Sequence, residues 1–183
     1  MAGSLLYGPY GPRFTPSVIG RPTYQLIQRL SVTAIIATAV PAATVATQFS
    51  LGMNLLGGQP VQATQALRIV SALGRVRDPA QSGHLTALGV SMEVDAGAPG
   101  VVGLRMWPAK SANVLLGATG VVVHIGDDDY LKASDYIENI PSSDAGIYSL
   151  NLNADISNSD AVNPHNVGLY MMALVELYNV VSR

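Results

Sequence analysis

The sequence predicts an all-β fold: a single antiparallel jelly-roll barrel or sandwich of about eight strands, preceded by an extended N-terminal arm. Three observations predict it. Apolar and polar residues alternate with a period of two in several runs, and turn residues separate those runs. No run holds a 3.6-residue period long enough for a convincing helix. The strands also follow one another without the alternating helices of a parallel sheet, which leaves an antiparallel sandwich or barrel, and at this strand count a jelly roll.

Residues 1–24 read as an arm. Tyr7-Gly8-Pro9 repeats as Tyr10-Gly11-Pro12, followed by Arg13-Phe14-Thr15-Pro16 and Gly20-Arg21-Pro22. Proline removes backbone donors and glycine adds freedom, so neither a helix nor a central strand persists. Two readings stand, a frayed terminus and an arm packed on its own barrel or on a neighbour. The aromatic residues Tyr7, Tyr10, Phe14 and Tyr24 favour the second, because disordered tails are poor in them.

The remaining 25–183 read as one domain, long enough to bury about 70% of its unfolded surface. Two alternating runs span Leu26 to Leu56, joined at Val40-Pro41-Ala42, with no charge between Arg29 and Arg68. In the first, Leu26, Leu30, Val32, Ala34, Ile36 and Val40 share a face. In the second, Val45, Thr47, Phe49, Leu51, Met53 and Leu55 point inward. After the turn at Gly57-Gly58-Gln59-Pro60, residues 61–77 fit both periods, a helix face through Leu67, Val70, Leu73 and Val76 or a strand through Leu67, Ile69, Ser71 and Leu73. Their β-branched content favours the strand. Asp78 to Gly83 is a loop, and Leu88, Val90, Met92 and Val94 mark the next strand. Val101 to Trp107 is a short strand expected to stop at Pro108, and Val114 to Ile125 an apolar one interrupted by Gly117 and Gly120. Tyr148, Leu150, Leu152, Ala154 and Ile156 face inward on a later strand. The run Val167 to Val181 is apolar on both faces, as a central strand is, or one covered outside by another molecule.

Composition narrows the function. Only 12% of residues are charged against 49% hydrophobic, so much of the surface is uncharged, as it is where protein packs on protein. Charge is unevenly placed. Arg13, Arg21, Arg29, Arg68, Arg75 and Arg77 precede the first acid, Asp78, and every one of the 12 acids lies from there on. Such a basic front and acidic back can pair within one fold or between subunits. The front is too sparse in Lys and Arg for a genome-binding arm. With no cysteine, disulfides, thiolate metal sites and a cysteine nucleophile are excluded. The N-terminus has neither the basic region nor the apolar core of a secretory signal. A transmembrane reading of Leu30 to Thr47 fails on Pro41, on its threonines and on its period of two, and the strand ends lack the aromatic girdles of a membrane barrel.

No catalytic constellation emerges. His84, His124 and His165 do not stand at metal-ligand spacing, and no serine occupies a nucleophile elbow. Asp127, Asp128, Asp129, Asp135 and Glu138 read as a solvated loop rather than a cation site, since consecutive carboxylates on an extended chain cannot all face one ion. No cofactor is implied. The expected contact residues are Tyr7, Tyr10, Arg13, Phe14, Arg21, Tyr24, Arg29 and Pro41. Arg13, Arg21 and Arg29 suit an acidic neighbour or anionic lipid headgroups. The competing class is a jelly-roll module binding carbohydrate or a receptor on a phage fibre, with Trp107, Tyr130, Tyr136 and Tyr148 as its aromatic platform.

The Tyr-Gly-Pro arm, the eight or so uncharged strands and the apolar closing strand Val167 to Val181 resemble a small viral capsid protein. More narrowly, in length, composition and layout the chain is similar to the smaller of the two major capsid proteins of the sphaerolipovirus group. These are tailless, membrane-containing icosahedral phages of thermophilic bacteria. The resemblance implies a single jelly roll standing upright in a virion shell assembled in the host cytoplasm. Its partners would be itself, as a homodimer exchanging the opening strands about Pro41, and a larger jelly-roll capsid protein over an internal membrane.

Overall fold

The computed structural model describes residues 23–62, 64–96, 105–125 and 147–181. Among these, every regular element is a strand: β1 (Thr23–Val40), β2 (Thr47–Asn54), β3 (Gln65–Arg77), β4 (Leu85–Ala96), β5 (Arg105–Leu115), β6 (Val121–Ile125), β7 (Tyr148–Asn158) and β8 (His165–Val181). Two four-stranded sheets form, in the orders β1-β8-β3-β6 and β2-β7-β4-β5, and every pairing is antiparallel. The pairs β1·β8, β2·β7, β3·β6 and β4·β5 are those of one long hairpin folded at its middle. Rolling that hairpin brings β8 beside β3 and β7 beside β4. The fold is a jelly roll.

The core lies between the sheets and is built by alternation. Tyr148, Leu150, Leu152, Ala154 and Ile156 of β7 are all buried, as the sequence pattern requires. From β8, Val167, Leu169, Met171, Ala173, Val175 and Leu177 join them, and β8 is central, paired with β1 and β3. Each such Leu or Val contributes about 1.5–3 kcal/mol when taken fully out of water. The sheets approach closely at Gly74 on β3, where an added Cβ would sit 2.6 Å from Leu152 Cδ1.

The departures from the expected pattern are β-bulges, each of which inserts one residue and reverses which face follows. In β3 the pairing slips at Val70, so Leu67 and Ile69 point inward before it and Ala72, Gly74 and Val76 after it. The strand favoured for 61–77 is thus present over 65–77, but the phase change puts Ser71 and Leu73 outside, although they were expected on the face of Leu67 and Ile69. A slip at Leu88 likewise buries Leu85 and Ala87 before it and Val90, Met92 and Val94 after it, so Ala87 faces the core rather than the outside. In β1 the slip at Ile27 separates Leu26 from the face of Leu30. Val45 was expected inward but is 87% exposed, since it precedes β2 in the β1–β2 turn.

Pro108 does not end a strand. β5 continues past it to Leu115, taking in Val114, and β6 begins only at Val121. β5 is an edge strand, and its register slips opposite β4 between Trp107 and Lys110 and again between Ser111 and Val114. A proline lacking its N–H is tolerated at an edge and at a bulge, and Asn113 in the second slip takes the left-handed conformation that asparagine tolerates (φ 63°). The β5–β6 turn closes at Gly120 (φ 66°), where a Cβ would lie 2.0 Å from the Val76 carbonyl oxygen.

Candidate functional site

Strand register arranges the outer face of the β1-β8-β3-β6 sheet in rows: Arg29–Glu176–Arg68, Ser31–Leu174–Ser71, Thr33–Met172–Leu73–His124, Ile35–Tyr170–Arg75–Val122 and Ala37–Gly168–Arg77. Its centre is apolar and open to solvent, with Ile35 73% and Met172 39% exposed. A shallow groove lined by Ser31, Ser71, Leu73, His124, Met172 and Leu174 crosses it. β1 is 18 residues long and forms the edge of this sheet. Leu26, Ile27 and Ile36 are also exposed on it. A long edge strand with exposed apolar side chains, whose one charged residue, Arg29, is paired with Glu176, is a template for further strand pairing.

Glu176 is the single acid among the strand residues of this sheet. Its side chain is only 4% exposed and meets the guanidinium of Arg29 (Nε to Oε1, 2.8 Å) and that of Arg68 at 3.7 Å. The Tyr178 hydroxyl donates to Oε2, and Tyr24 packs edge-on against the Tyr178 ring at 6.3 Å. Burial alone would raise the Glu176 pKa, but the Tyr178 hydroxyl and the two arginines outweigh it and hold the carboxyl below its ordinary value of 4.5. A depressed folded-state pKa stabilises above the unfolded pKa, and that contribution is lost as pH falls through the folded value. We expect thermal midpoints measured from about pH 6 down to about pH 3 to fall more steeply for the unmodified chain than for Glu176→Gln. Parallel curves would show that this ion pair contributes nothing to acid sensitivity.

The opposite outer face, on β2-β7-β4-β5, is polar. Its rows include Gln48–Asp155–Gly89, Ser50–Asn153–Ser91 and Gly52–Asn151–Glu93. Asn153 Nδ2 donates to Glu93 Oε1 at 2.8 Å, and Ser149 Oγ to Asn54 Oδ1 at 3.0 Å. The charge asymmetry of the sequence is thus partly a difference between faces. Arg29, Arg68, Arg75 and Arg77 lie on the sheet of Glu176, and Glu93 and Asp155 on the other, together with Arg105 and Lys110 of its edge strand β5.

At one end of the sandwich the β1–β2, β3–β4 and β7–β8 loops meet. Asn158, buried at the end of β7, donates from Nδ2 to the carbonyls of Pro41 (3.0 Å), Asn163 (3.1 Å) and Val40 (3.2 Å). Its Oδ1 accepts from Asp160 N at 3.0 Å. The Ala43 N–H donates to the Asp160 carbonyl at 2.7 Å, and Ser159 N to the His84 carbonyl at 3.0 Å. Asp78 is fully buried and ties its own loop by accepting from Ala80 N, Ser82 N and Ser82 Oγ. Asp160 Oδ1 accepts from the Val162 and Asn163 N–H groups, and Oδ2 stands 3.0 Å from His165 Nε2. The Val162 N–H first, then Asn163 and His165, hold this carboxyl far below the ordinary carboxylate range. His84 stacks on His165 with centroids 5.1 Å apart and planes inclined by 12°. Ligand atoms of His84, Asp160 and His165 all lie within 4.8 Å of one another.

Of the expected contact residues, Tyr7, Tyr10, Arg13, Phe14 and Arg21 lie outside the described residues, as do Asp127–Asp129, Asp135 and Glu138. Tyr24 and Arg29 converge on Glu176, and Pro41 sits in the loop pinned by Asn158 and by Thr44 Oγ1, which donates to its carbonyl at 2.7 Å. Tyr148 is 3% exposed within the core, which removes it from the aromatic platform of a binding module. The sequence reading missed the meeting of His84 with His165. Its signal was weak but present, since each stands at the start of a strand and both strands start from the same end of the sandwich.

No protein-family model and no curated protein matches the chain. Among the solved structures that resemble it are a viral capsid protein and chains of two virus structures. The decameric BFDV capsid protein aligns over 82% of this chain and 98% of its own, at 10% identity and a TM-score of 0.46. Turnip yellow mosaic virus aligns over 85% of this chain and 97% of its own, at 11% identity and a TM-score of 0.39. The Gx strain of infectious bursal disease virus aligns over 85% of this chain but 37% of its own, at 15% identity and a TM-score of 0.34. The likeness is one of fold, which the strand pairing establishes independently.

Proposed function

We propose that this chain is a structural subunit of an icosahedral virus capsid, and that it builds the shell by packing against copies of itself. The observation that carries the reading is the outer face of β1-β8-β3-β6, with exposed apolar side chains at its centre, arginines toward both ends and a long exposed edge strand. Covering Ile35, Met172 and their neighbours removes apolar area from water at about 25 cal/mol per Å², and the pairing of Glu176 with Arg29 and Arg68 within the face offsets part of the cost of desolvating its charges. Arg75 and Arg77 on this face complement Glu93 and Asp155 on the opposite face of a second copy, which favours head-to-tail packing that can close into a shell.

The finer reading follows the family resemblance. The chain stands in the shell as a homodimer formed at the β1 edge, beside a larger jelly-roll capsid protein and over an internal membrane. Residues 1–22 act as a contact arm on a body that begins with β1, to which Thr23 and Tyr24 belong. β1 and β2 are the exchanging pair, in which case β1·β8 and β2·β7 form between copies rather than within one chain.

Sedimentation of the purified chain over a rising concentration series, with electron microscopy of the heaviest fraction, tests the proposal. Association into dimers and larger closed particles is expected. Deletion of residues 1–22, which leaves β1 whole, should preserve the β-sheet circular dichroism and lower association at least about tenfold, the loss of roughly 1.4 kcal/mol of contact. A chain that stays monomeric near millimolar concentration removes the capsid reading, and a truncated chain that assembles normally removes the arm's role.

A further inference from the structure

We propose that His84, Asp160 and His165 form a binding site for a divalent transition-metal ion of the zinc class, which clips the β3–β4 loop to the β7–β8 loop. Three features of the site support it. The first is the donor set. Two imidazoles and one carboxylate are the nitrogen and oxygen ligands that zinc, nickel and cobalt prefer, whereas calcium and magnesium take oxygen alone.

The second is spacing. All three ligand atoms lie within 4.8 Å of one another, and His165 Nε2 and Asp160 Oδ2 are 3.0 Å apart. Two ligands of one tetrahedral zinc ion, each about 2.0–2.1 Å from it, stand about 3.3 Å from each other. The existing pair therefore needs to open only slightly to admit the ion.

The third is support behind the ligands. Asp160 Oδ1 accepts from the Val162 and Asn163 N–H groups at 2.8 and 3.0 Å, and Oδ2 accepts from Asn163 Nδ2 at 3.2 Å, which fixes the carboxylate with Oδ2 beside His165. Ser159 Oγ, which donates to the His84 carbonyl at 3.2 Å, also lies 3.4 Å from His84 Nδ1 and steadies that ring beside the site. Both His165 and Asp160 keep partial exposure, 19% and 14% of their side chains, so an ion has a way in. A second adjustment is required besides that opening. The ring planes are inclined by only 12°, so their lone pairs lie in nearly parallel planes, and one ring must turn about χ2, a broad torsion in histidine.

The bound ion would fix the starts of β4 and β8 together, and the β1–β2 loop with them through the Ala43 N–H on the Asp160 carbonyl. The competing account is that His165 and Asp160 are an ion pair and nothing more. Calorimetric titration of the chelator-treated full chain with zinc sulfate separates the two. One ion per chain with micromolar affinity is expected, and at a hundredfold excess over Kd the thermal midpoint should rise by about 5 °C or more. His84→Gln and His165→Gln should each weaken binding at least tenfold, while His124→Gln, on the β6 face, should not. Cobalt chloride tests the unmutated chain, where tetrahedral visible bands support the site and a spectrum unchanged from the aqueous ion overturns it. Absence of zinc binding at millimolar concentration, unchanged affinity in both histidine variants, or equal binding of calcium also overturns it.

Discussion

Replacing Asn158 by alanine is expected to lower stability by about 2–4 kcal/mol, and the thermal midpoint by about 5–15 °C for a domain of this size. The side chain is 2% exposed, and its amide serves three carbonyls on two loops while its oxygen takes the Asp160 N–H. Truncation leaves those groups without a partner in a site with little access to water, and each unmet buried polar group costs about 1–3 kcal/mol. Asn158→Asp should cost more than alanine, although it keeps the acceptor. It sets a second carboxylate oxygen against the carbonyls of Val40, Pro41 and Asn163, where a donor is required. Thermal denaturation of the three chains decides the matter. A midpoint for Asn158→Ala within about 2 °C of the unmodified chain would mean that the loop junction is held by its backbone hydrogen bonds alone.

The paired substitution Ile35→Asp and Met172→Asp is expected to abolish association while leaving the fold in place. Both side chains point away from the core on neighbouring rows of one sheet, at 73% and 39% exposure. Surface changes of this kind usually alter folding stability by under about 0.5 kcal/mol each. At a packed interface the same two charges must be stripped of water with no partner, at a cost of several kcal/mol per ion, equivalent to a loss of more than a thousandfold in affinity. Sedimentation of the double variant should show monomer at concentrations where the unmodified chain assembles, with superimposable far-ultraviolet circular dichroism. Particles of normal size from the double variant would place the contact surface elsewhere on the molecule.

The placement of side chains along each strand was readable wherever the period of two ran unbroken. Tyr148 to Ile156 on β7 face the core as their alternation requires, whereas β8, apolar on both faces in sequence, had its inward set of Val167 to Leu177 decided by the fold. Reading failed at Val70 and Leu88, because a bulge adds one residue without any marker in composition and reverses every face beyond it. It failed also at Pro108, where proline is a sound stop signal for a central strand but not for an edge strand carrying a bulge at that point.

Candidate contacts divided in the same way. The scarcity of charge announced a surface suited to protein contact, but not which face was apolar, since that depends on which strands become neighbours. Arg29, Arg68 and Glu176 are brought into one row only by the pairing of β1, β8 and β3.

By itself the sequence determined the strand class, the approximate strand number, the residues that face inward on unbroken runs and the shortage of charge. All of these are local properties of a chain with a two-residue repeat. The order β1-β8-β3-β6 and β2-β7-β4-β5, the apolar outer face and the cluster of His84, Asp160 and His165 were decided by the tertiary structure. Alternation says which way a side chain points and nothing about the strand or loop it will meet, so groups far apart in the chain become neighbours only once the hairpin has rolled up.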